Sequence, residues 1–249
     1  HASHAAEGQF GDFQVSAGQR QLFLDDFGIA EINNLHRTLH RPLKRGAVIR
    51  SPQSTKTIQT RTAPVWDEES KLYKLWTITI DNNLWQSQDG LHWTPGPKTN
   101  MPIMLAAYDS RDPDPTRRFK APLLNQGFAV SPDGVTWKQL ELPKIHSSDE
   151  GNFSFDAQQG LFIHTVKRGG QHGRAVALAT SKDFETWNDF GIVFQADDAD
   201  QELGKQHITE RMADHTLQQT LLNDPKVYNV DVYNMGVFRY EGVYIGMPA

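Results

Sequence analysis

The sequence predicts an all-β fold built from repeated four-stranded sheets, as in a β-propeller. The first observation behind this prediction is a pattern, Ser-x-Asp-Gly-x-x-Trp, that occurs at residues 87–93 and 131–137 and returns without its glycine at 181–187. Its tryptophans lie 44 and then 50 residues apart, which matches the length of one propeller blade. The second observation is the recurrence of segments rich in β-branched and aromatic residues between turn residues.

The repeated pattern is expected to form a tight turn between two strands. Its serine and aspartate side chains can bind nearby backbone amides, and Gly90 and Gly134 allow a positive φ angle. The tryptophan that follows would begin the next strand and pack between sheets. Because the third copy has Phe184 in place of the glycine, its turn is expected to differ. The pattern therefore indicates architecture rather than chemistry.

Each predicted blade begins with two strands joined by a turn, followed by a strand that leads into the repeated pattern. In the first blade, strands at 62–66 and 72–78 flank a turn that contains Asp67. Asp156 and Glu241 are expected at the same turn of the third and fourth blades. The corresponding strand pairs of the later blades are 103–108 with 118–123, 153–155 with 161–166, and 230–238 with 242–246.

These segments give blades at 57–98, 99–145, 146–195 and, in part, 224–249. Residues 196–223 interrupt the repeat with a polar insertion that contains one short helix. Three and a half blades cannot close a ring, so we expect a further C-terminal segment or another chain to complete the propeller.

A leader of residues 1–56 precedes the blades. Within it, residues 22–29 are predicted to form a strand that ends in acidic residues, and residues 36–45 form a basic stretch that proline breaks too often for a core helix. The first eight residues resemble a tag remnant or the end left after removal of a signal peptide. The leader therefore favours an exported protein, secreted or periplasmic.

The composition narrows the classes of partner and site. There are 25 basic and 30 acidic side chains, a net charge of −5, which argues against a nucleic-acid partner. The absence of cysteine excludes disulfides and thiolate metal sites. No apolar run approaches the ~18–20 residues of a membrane span. The ten histidines show no ligand spacing, so no cofactor is expected, although a structural or funnel ion such as calcium stays open.

Several segments resemble bacterial proteins related to glycoside hydrolase families 32 and 43. They are Leu-Phe-Leu-Asp-Asp at 22–26, the basic stretch after it, the strand–turn–strand units with the repeated pattern, and the segments 193–197 and 231–246. The resemblance implies a five-bladed β-propeller that hydrolyses glycosidic bonds of a plant or algal polysaccharide or its oligosaccharides. The sialidase Asp-box is the competing comparison, but its tryptophan lies five residues after the aspartate, and Trp137 lies four after Asp133.

The resemblance also implies where the chemistry lies. Enzymes of this kind carry three carboxylates near the starts of the innermost strands, because glycoside hydrolysis needs an acid, a base or nucleophile, and stabilisation of positive charge. Asp149 and Glu150 stand at that position in the third blade, and Asp231 and Tyr233 in the fourth. The first blade has Arg61 and Thr62 there and the second has Asn100 and Met101, so neither offers a carboxylate.

We therefore predict Asp149 and Asp231 as catalytic residues, together with Asp112, whose Arg-Asp-Pro context matches a family 32 motif. The predicted substrate-binding residues are His40, Arg61, Glu150, Arg174 and Tyr233. A non-catalytic propeller that binds glycans or a protein partner is the alternative, and the missing carboxylates of the first two blades favour it.

Overall fold

The computed structural model describes residues 15, 17–18, 20–23, 25–26, 28–50, 55, 57–78, 83–219, 221–222 and 224–249. It confirms an all-β protein made of four small antiparallel sheets. The described residues do not close these sheets into a ring.

Three sheets have four strands each, and each is a meander in which strands adjacent in sequence pair. Sheet one contains β1 (Val65–Asp67), β2 (Leu72–Trp76), β3 (Leu84–Ser87) and β4 (Thr94–Pro95). Sheet two contains β5 (Ala107–Tyr108), β6 (Phe119–Leu123), β7 (Gly127–Ser131) and β8 (Lys138–Leu140). Sheet three contains β9 (Gly151–Asp156), β10 (Leu161–Gly170), β11 (Gly173–Ser181) and β12 (Asn188–Phe194). A hairpin of β13 (Met235–Tyr240) and β14 (Val243–Pro248) forms the fourth.

The first strands of the four sheets lie side by side in chain order. β1 contacts β5, β5 contacts β9, and β9 contacts β13. Short polar contacts join the last pair, since the Ser154 hydroxyl donates to the Val237 carbonyl at 2.5 Å. The starts of these strands are thereby brought to one end of the molecule.

The turns between first and second strands use aspartate as predicted. Asp67 accepts a hydrogen bond from the Glu69 amide, and Asp156 accepts from the amides of Gln158 and Gln159. Both carboxylates are buried. Asp156 also receives the Tyr244 hydroxyl at 2.7 Å, which fastens the hairpin to sheet three.

The repeated pattern forms the turn that its residues predict. In the second copy, the Ser131 hydroxyl accepts from the Gly134 amide at 2.9 Å, and the Asp133 carboxylate accepts from the two amides that follow Gly134, each at 2.8 Å. The Trp137 indole then donates to the Gly134 carbonyl at 2.9 Å. Gly134 has a φ of +70°, so the glycine is used for the left-handed backbone that the turn requires.

The prediction that the third copy folds differently is wrong for its backbone. Ser181 and Asp183 accept the same amides as in the other copies, and Phe184 takes a φ of +62° despite its side chain. What changes is the tryptophan, because the buried Trp187 indole nitrogen has no hydrogen-bond partner among the described residues.

Core packing explains why a phenylalanine replaces the glycine. A Cβ on Gly134 would come within 2.9 Å of Trp76, whose ring fills the space between sheets one and two. The residue of sheet two that corresponds to Trp76 is Pro122, which is much smaller. The Phe184 ring takes the equivalent space between sheets two and three, at 5.3 Å from Phe128. The large aromatic residue between sheets one and two is therefore in strand β2, whereas the one between sheets two and three is in the turn after β11.

The polar insertion contains α1 (Asp198–Ala213), a helix of 16 residues rather than a short one. Asp197 begins it with a capping box in which Asp197 and Asp200 each accept the other's amide. No helix formed by the described residues has the length and apolar character of a membrane span.

The leader strand predicted at 22–29 is not observed in the described part of that segment, and Leu24 and Phe27 lie outside the described residues. Its acidic end instead pairs with the basic stretch, since Asp26 lies 3.0 Å from Arg37. The stretch 28–50 likewise contains neither helix nor strand. Residues 1–8, interpreted as a tag or signal remnant, are outside the described part of the chain.

Candidate functional site

The starts of the first strands bring together charged residues from three sheets. Arg61, four residues before β1, reaches Glu150, which immediately precedes β9. The Arg61 guanidinium lies against both carboxylate oxygens, with Nη2 donating to Oε1 at 2.6 Å and Nε 2.5 Å from Oε2. The Glu150 side chain is only 3% exposed. A buried carboxylate needs such a partner, because an unpaired charge would be costly to desolvate.

Tyr233, two residues before β13, connects this pair to two further cations. Its hydroxyl donates to Glu150 Oε1 at 3.2 Å. Lys167 Nζ lies 4.0 Å from the centre of the tyrosine ring, and the Arg174 guanidinium carbon lies 4.9 Å from it. Both cations are therefore placed for cation–π attraction to the same ring.

Asp231 and Arg174 form a bidentate pair beside Tyr233. Arg174 Nε donates to Oδ2 at 2.6 Å, Nη2 donates to Oδ1 at 3.0 Å, and the Arg174 amide also donates to Oδ2. The hydrogen bonds from Arg174 hold the pKa of Asp231 below its usual value. Gly173 permits this approach, since a Cβ there would lie 2.9 Å from Asp231 Oδ2.

Asp149 is the accessible carboxylate of the group. Its side chain is 65% exposed and pairs with Lys167, whose own side chain is only 6% exposed. The backbone fixes the two strands here, because the Lys167 amide donates to the Glu150 carbonyl at 3.0 Å. We call this group the strand-start cluster; its members are Arg61, Asp149, Glu150, Lys167, Arg174, Asp231 and Tyr233.

The strand-start cluster thus contains six of the residues that the sequence singles out. It pairs each of its three carboxylates with one cation, in the pairs Glu150–Arg61, Asp231–Arg174 and Asp149–Lys167. Such a site offers both hydrogen-bond donors and hydrogen-bond acceptors, and its positive and negative charges balance. That combination suits a polyhydroxylated ligand, whose hydroxyl groups both donate and accept.

Sequence reasoning missed Lys167. Its contact with the Tyr233 ring joins residues that are 66 positions apart in sequence, and no local pattern in β10 indicates that contact. A signal was nevertheless present, because Lys167 lies in a strand of otherwise apolar and uncharged residues from Leu161 to Val166. A lysine that continues such a buried run is a candidate for a paired, functional charge.

Asp112 lies outside the strand-start cluster, in the loop that follows β5. Its carboxylate receives Lys120 Nζ at 2.6 Å, and Lys120 is almost completely buried. Burial raises the pKa of Asp112, but the hydrogen bonds from Lys120 and from the Asp114 amide, together with the nearby positive charges, outweigh burial and lower the pKa. Asp112 therefore serves as a counter-ion for a core lysine, a role that Asp67 has for the buried Lys74 in sheet one.

His40 is also outside the cluster, on the fully exposed stretch 31–48.

Asn100 and Met101 do not stand directly before the first strand of sheet two, as the sequence predicts, because that strand, β5, begins only at Ala107. Asn100 has a structural role instead. Its side-chain amide donates to the Trp137 carbonyl at 2.9 Å, and its side-chain oxygen accepts from the Trp137 amide at 2.8 Å.

A groove of about 360 Å³ runs along the first strands of sheets one to three, starting at Thr62 beside Arg61. Its walls combine polar and apolar surface, with aromatic rings from Trp66, Tyr108 and Phe155. Aromatic faces of this kind pack against the apolar faces of ligand rings. Among the described residues, no group of three or more His, Asp or Glu side chains is arranged to hold a metal ion.

The chain matches no protein-family model, and a comparison with curated proteins found no match.

Proposed function

We propose that the protein is a glycoside hydrolase that acts on polysaccharides or their oligosaccharides at the strand-start cluster. The observation that carries the proposal is the meeting of three carboxylates, Asp149, Glu150 and Asp231, at the starts of neighbouring first strands. The succession of first strands supports the further proposal that the sheets are blades of a five-bladed propeller. A polysaccharide substrate fits a secreted or periplasmic location.

The carboxylates would have different roles in this reaction. Asp149, which is exposed, is placed to act as base or nucleophile towards a bound sugar. Asp231, which Arg174 keeps ionised, would stabilise the positive charge that develops on the sugar ring. Glu150 is buried and would position Arg61 and Tyr233 for hydrogen bonds to substrate hydroxyls.

The ion pairs also favour a second candidate function, non-catalytic binding of a glycan. Glycoside hydrolysis needs a protonated acid near the leaving oxygen. Each of the three carboxylates in the strand-start cluster is engaged in an ion pair, and the hydrogen bonds from Arg174 hold the pKa of Asp231 below its usual value. A site of this type can hold sugar hydroxyls without breaking the glycosidic bond.

Release of reducing sugar from a panel of plant and algal polysaccharides and their oligosaccharides tests the proposal. We expect hydrolysis of at least one substrate, and a loss of about 100-fold or more in rate for Asp231→Asn, because the charge opposite the transition state is removed. Asp189→Asn is the matched control. Asp189 forms an ion pair with Arg168 of sheet three, as Asp231 does with Arg174 of that sheet, but neither Asp189 nor Arg168 belongs to the cluster.

Two results would count against hydrolysis. Equal rates for the wild-type protein and for Asp149→Asn and Asp231→Asn would place the reaction elsewhere. Calorimetric binding of a glycan without release of reducing sugar, abolished by Asp231→Asn, would identify the binding function instead.

A further inference from the structure

A second feature outside the strand-start cluster is the concentration of positive charge in the leader. Residues 32–56 contain six Lys and Arg side chains and no Asp or Glu. The rest of the chain has 19 basic and 30 acidic side chains. A charge asymmetry of this size marks a surface for an anionic partner.

The charge follows a short internal repeat. Three consecutive tetrapeptides begin at Leu35, Leu39 and Leu43, and each reads Leu, then His or Lys, then Arg, then a small or turn-forming residue. We call residues 35–46 the basic repeat. Its arginines are Arg37, Arg41 and Arg45.

The basic repeat is presented to solvent rather than packed. Every residue from 31 to 48 is exposed, and the leucines that begin the tetrapeptides are 79%, 96% and 73% exposed. Arg37 pairs with Asp26 at 3.0 Å. Among the residues that the structure describes, no carboxylate pairs with Arg41 or Arg45, so their guanidinium groups are available to a ligand.

The spacing sets the geometry of such a ligand. Proline at position 42 disfavours a helix, and the described backbone of this stretch is neither helix nor sheet. In an extended chain, residues four apart lie on the same side and about 13 Å from each other. In such an extended conformation, which Pro42 favours for the residue before it, the three arginines would form a ladder that fits a linear polymer with repeated negative charges.

We propose that the basic repeat binds an anionic polysaccharide, one that carries sulfate or carboxylate groups at regular intervals. The guanidinium fork matches the planar or tetrahedral oxygens of these groups with two parallel hydrogen bonds. This inference rests on the proposed function, which makes a polysaccharide the ligand, and it adds that the polymer is acidic.

Other anionic macromolecules fit less well. Residues 35–50 contain no Phe, Trp or Tyr on which nucleic-acid bases could stack. An interfacial membrane helix needs one continuous apolar face. In the extended repeat, leucine and arginine alternate along the same side, so no such face exists.

Affinity chromatography and calorimetry with the whole chain test the proposal. The probes are dextran sulfate, polygalacturonate and neutral dextran of similar length. We expect binding to one or both of the charged polymers, with an affinity that falls as salt rises. Neutral dextran should not bind at the basic repeat. The two charged probes separate sulfate from carboxylate recognition.

The decisive variant replaces Arg37, Arg41 and Arg45 with glutamine. We expect it to lose about tenfold or more in affinity, because the charge-assisted contacts of Arg41 and Arg45 are removed together with the positive charge of Arg37. A control with the same change in net charge replaces Lys98, Lys138 and Lys144, which are exposed elsewhere. That control should bind as the wild type does.

Equal losses in the two triple variants would overturn the proposal, since the effect would then come from net charge alone. Tighter binding to single-stranded DNA or to vesicles of anionic lipid than to either charged polymer would also overturn it. The test is independent of hydrolysis. If Asp231→Asn abolishes sugar release while it still binds dextran sulfate, both proposals stand. If the wild-type protein releases sugar but binds neither charged polymer, only the proposal for the basic repeat is refuted.

Discussion

Arg61 and Glu150 meet across 89 positions of sequence, with the arginine Nη2 donating to Glu150 Oε1 at 2.6 Å. The pair joins the start of sheet one to the start of sheet three. The Tyr233 hydroxyl bonds to the same carboxylate, so Glu150 connects the segments that precede three of the first strands.

Removal of Arg61 should destabilise the protein. Arg61→Met leaves the buried Glu150 carboxylate without its cation, and we expect the free energy of unfolding to fall by about 3 kcal/mol. Adding Glu150→Gln should restore part of that loss, because the neutral side chain needs no counter-ion. Urea unfolding of the two single variants and the double variant gives the coupling energy.

The matched control for this cycle is Lys205→Ala, which breaks an exposed pair with Glu202 on α1. A surface pair of this kind contributes less than about 0.5 kcal/mol. A loss for Arg61→Met no larger than that of the control would show that the Arg61–Glu150 pair does not hold the sheets together.

The turn glycines provide a second prediction. Gly134→Ala should cost about 3 kcal/mol, because a Cβ at a φ of +70° is strained and would also meet Trp76 at 2.9 Å. Gly90→Ala should cost only about 1 kcal/mol, since Gly90 has the same φ region but open space around it. Denaturant unfolding gives the loss in free energy of unfolding for each variant, and the difference between the two losses measures the steric clash. Equal losses would mean that Trp76 moves aside without cost.

The buried His164 predicts a dependence of stability on pH. Burial lowers the pKa of His164 from 6.5 to about 4, although its hydrogen bond to the Asn152 carbonyl at 2.9 Å opposes the shift. The unfolded chain therefore binds a proton that the folded chain excludes. Stability from this group is complete above pH 6.5 and is lost as pH falls towards 4.

Between pH 7 and pH 5 the expected loss is about 2 kcal/mol. Urea unfolding at half-unit pH intervals measures it. His164→Gln should lower stability at pH 7 but flatten the slope in this window. An unchanged slope in that variant would assign the pH dependence to another group.

The second strand of each four-stranded sheet agrees best with the sequence prediction, because β2, β6 and β10 have aromatic and β-branched residues in a buried setting. The first strands agree less well, since β1 and β5 begin three and four residues later than predicted. The outer strands β4, β8 and β12 are largely exposed, and they form because they pair with β3, β7 and β11. Pairing of that kind leaves little trace in composition.

The sequence predicts those members of the candidate site whose place follows from their position in the repeat. Glu150, Asp231 and Tyr233 were found because they precede first strands. Lys167 and the ion pairs were not, since they depend on which sheets adjoin in space. The turn at Phe184 was misjudged for a related reason. Core volume between sheets two and three outweighs the cost of a phenylalanine in the left-handed region.

The comparison of Asp149 with Asp112 tests the strand-start cluster most directly. Both are candidate catalytic residues, but only Asp149 belongs to the cluster, and Asp112 neutralises the buried Lys120. The measurement is the rate of reducing-sugar release by the folded Asp149→Asn and Asp112→Asn variants on a substrate that the wild type hydrolyses. We predict a loss of about 100-fold or more for Asp149→Asn and an unchanged rate, with lower stability, for Asp112→Asn. Loss of activity in Asp112→Asn with full activity in Asp149→Asn would contradict the account.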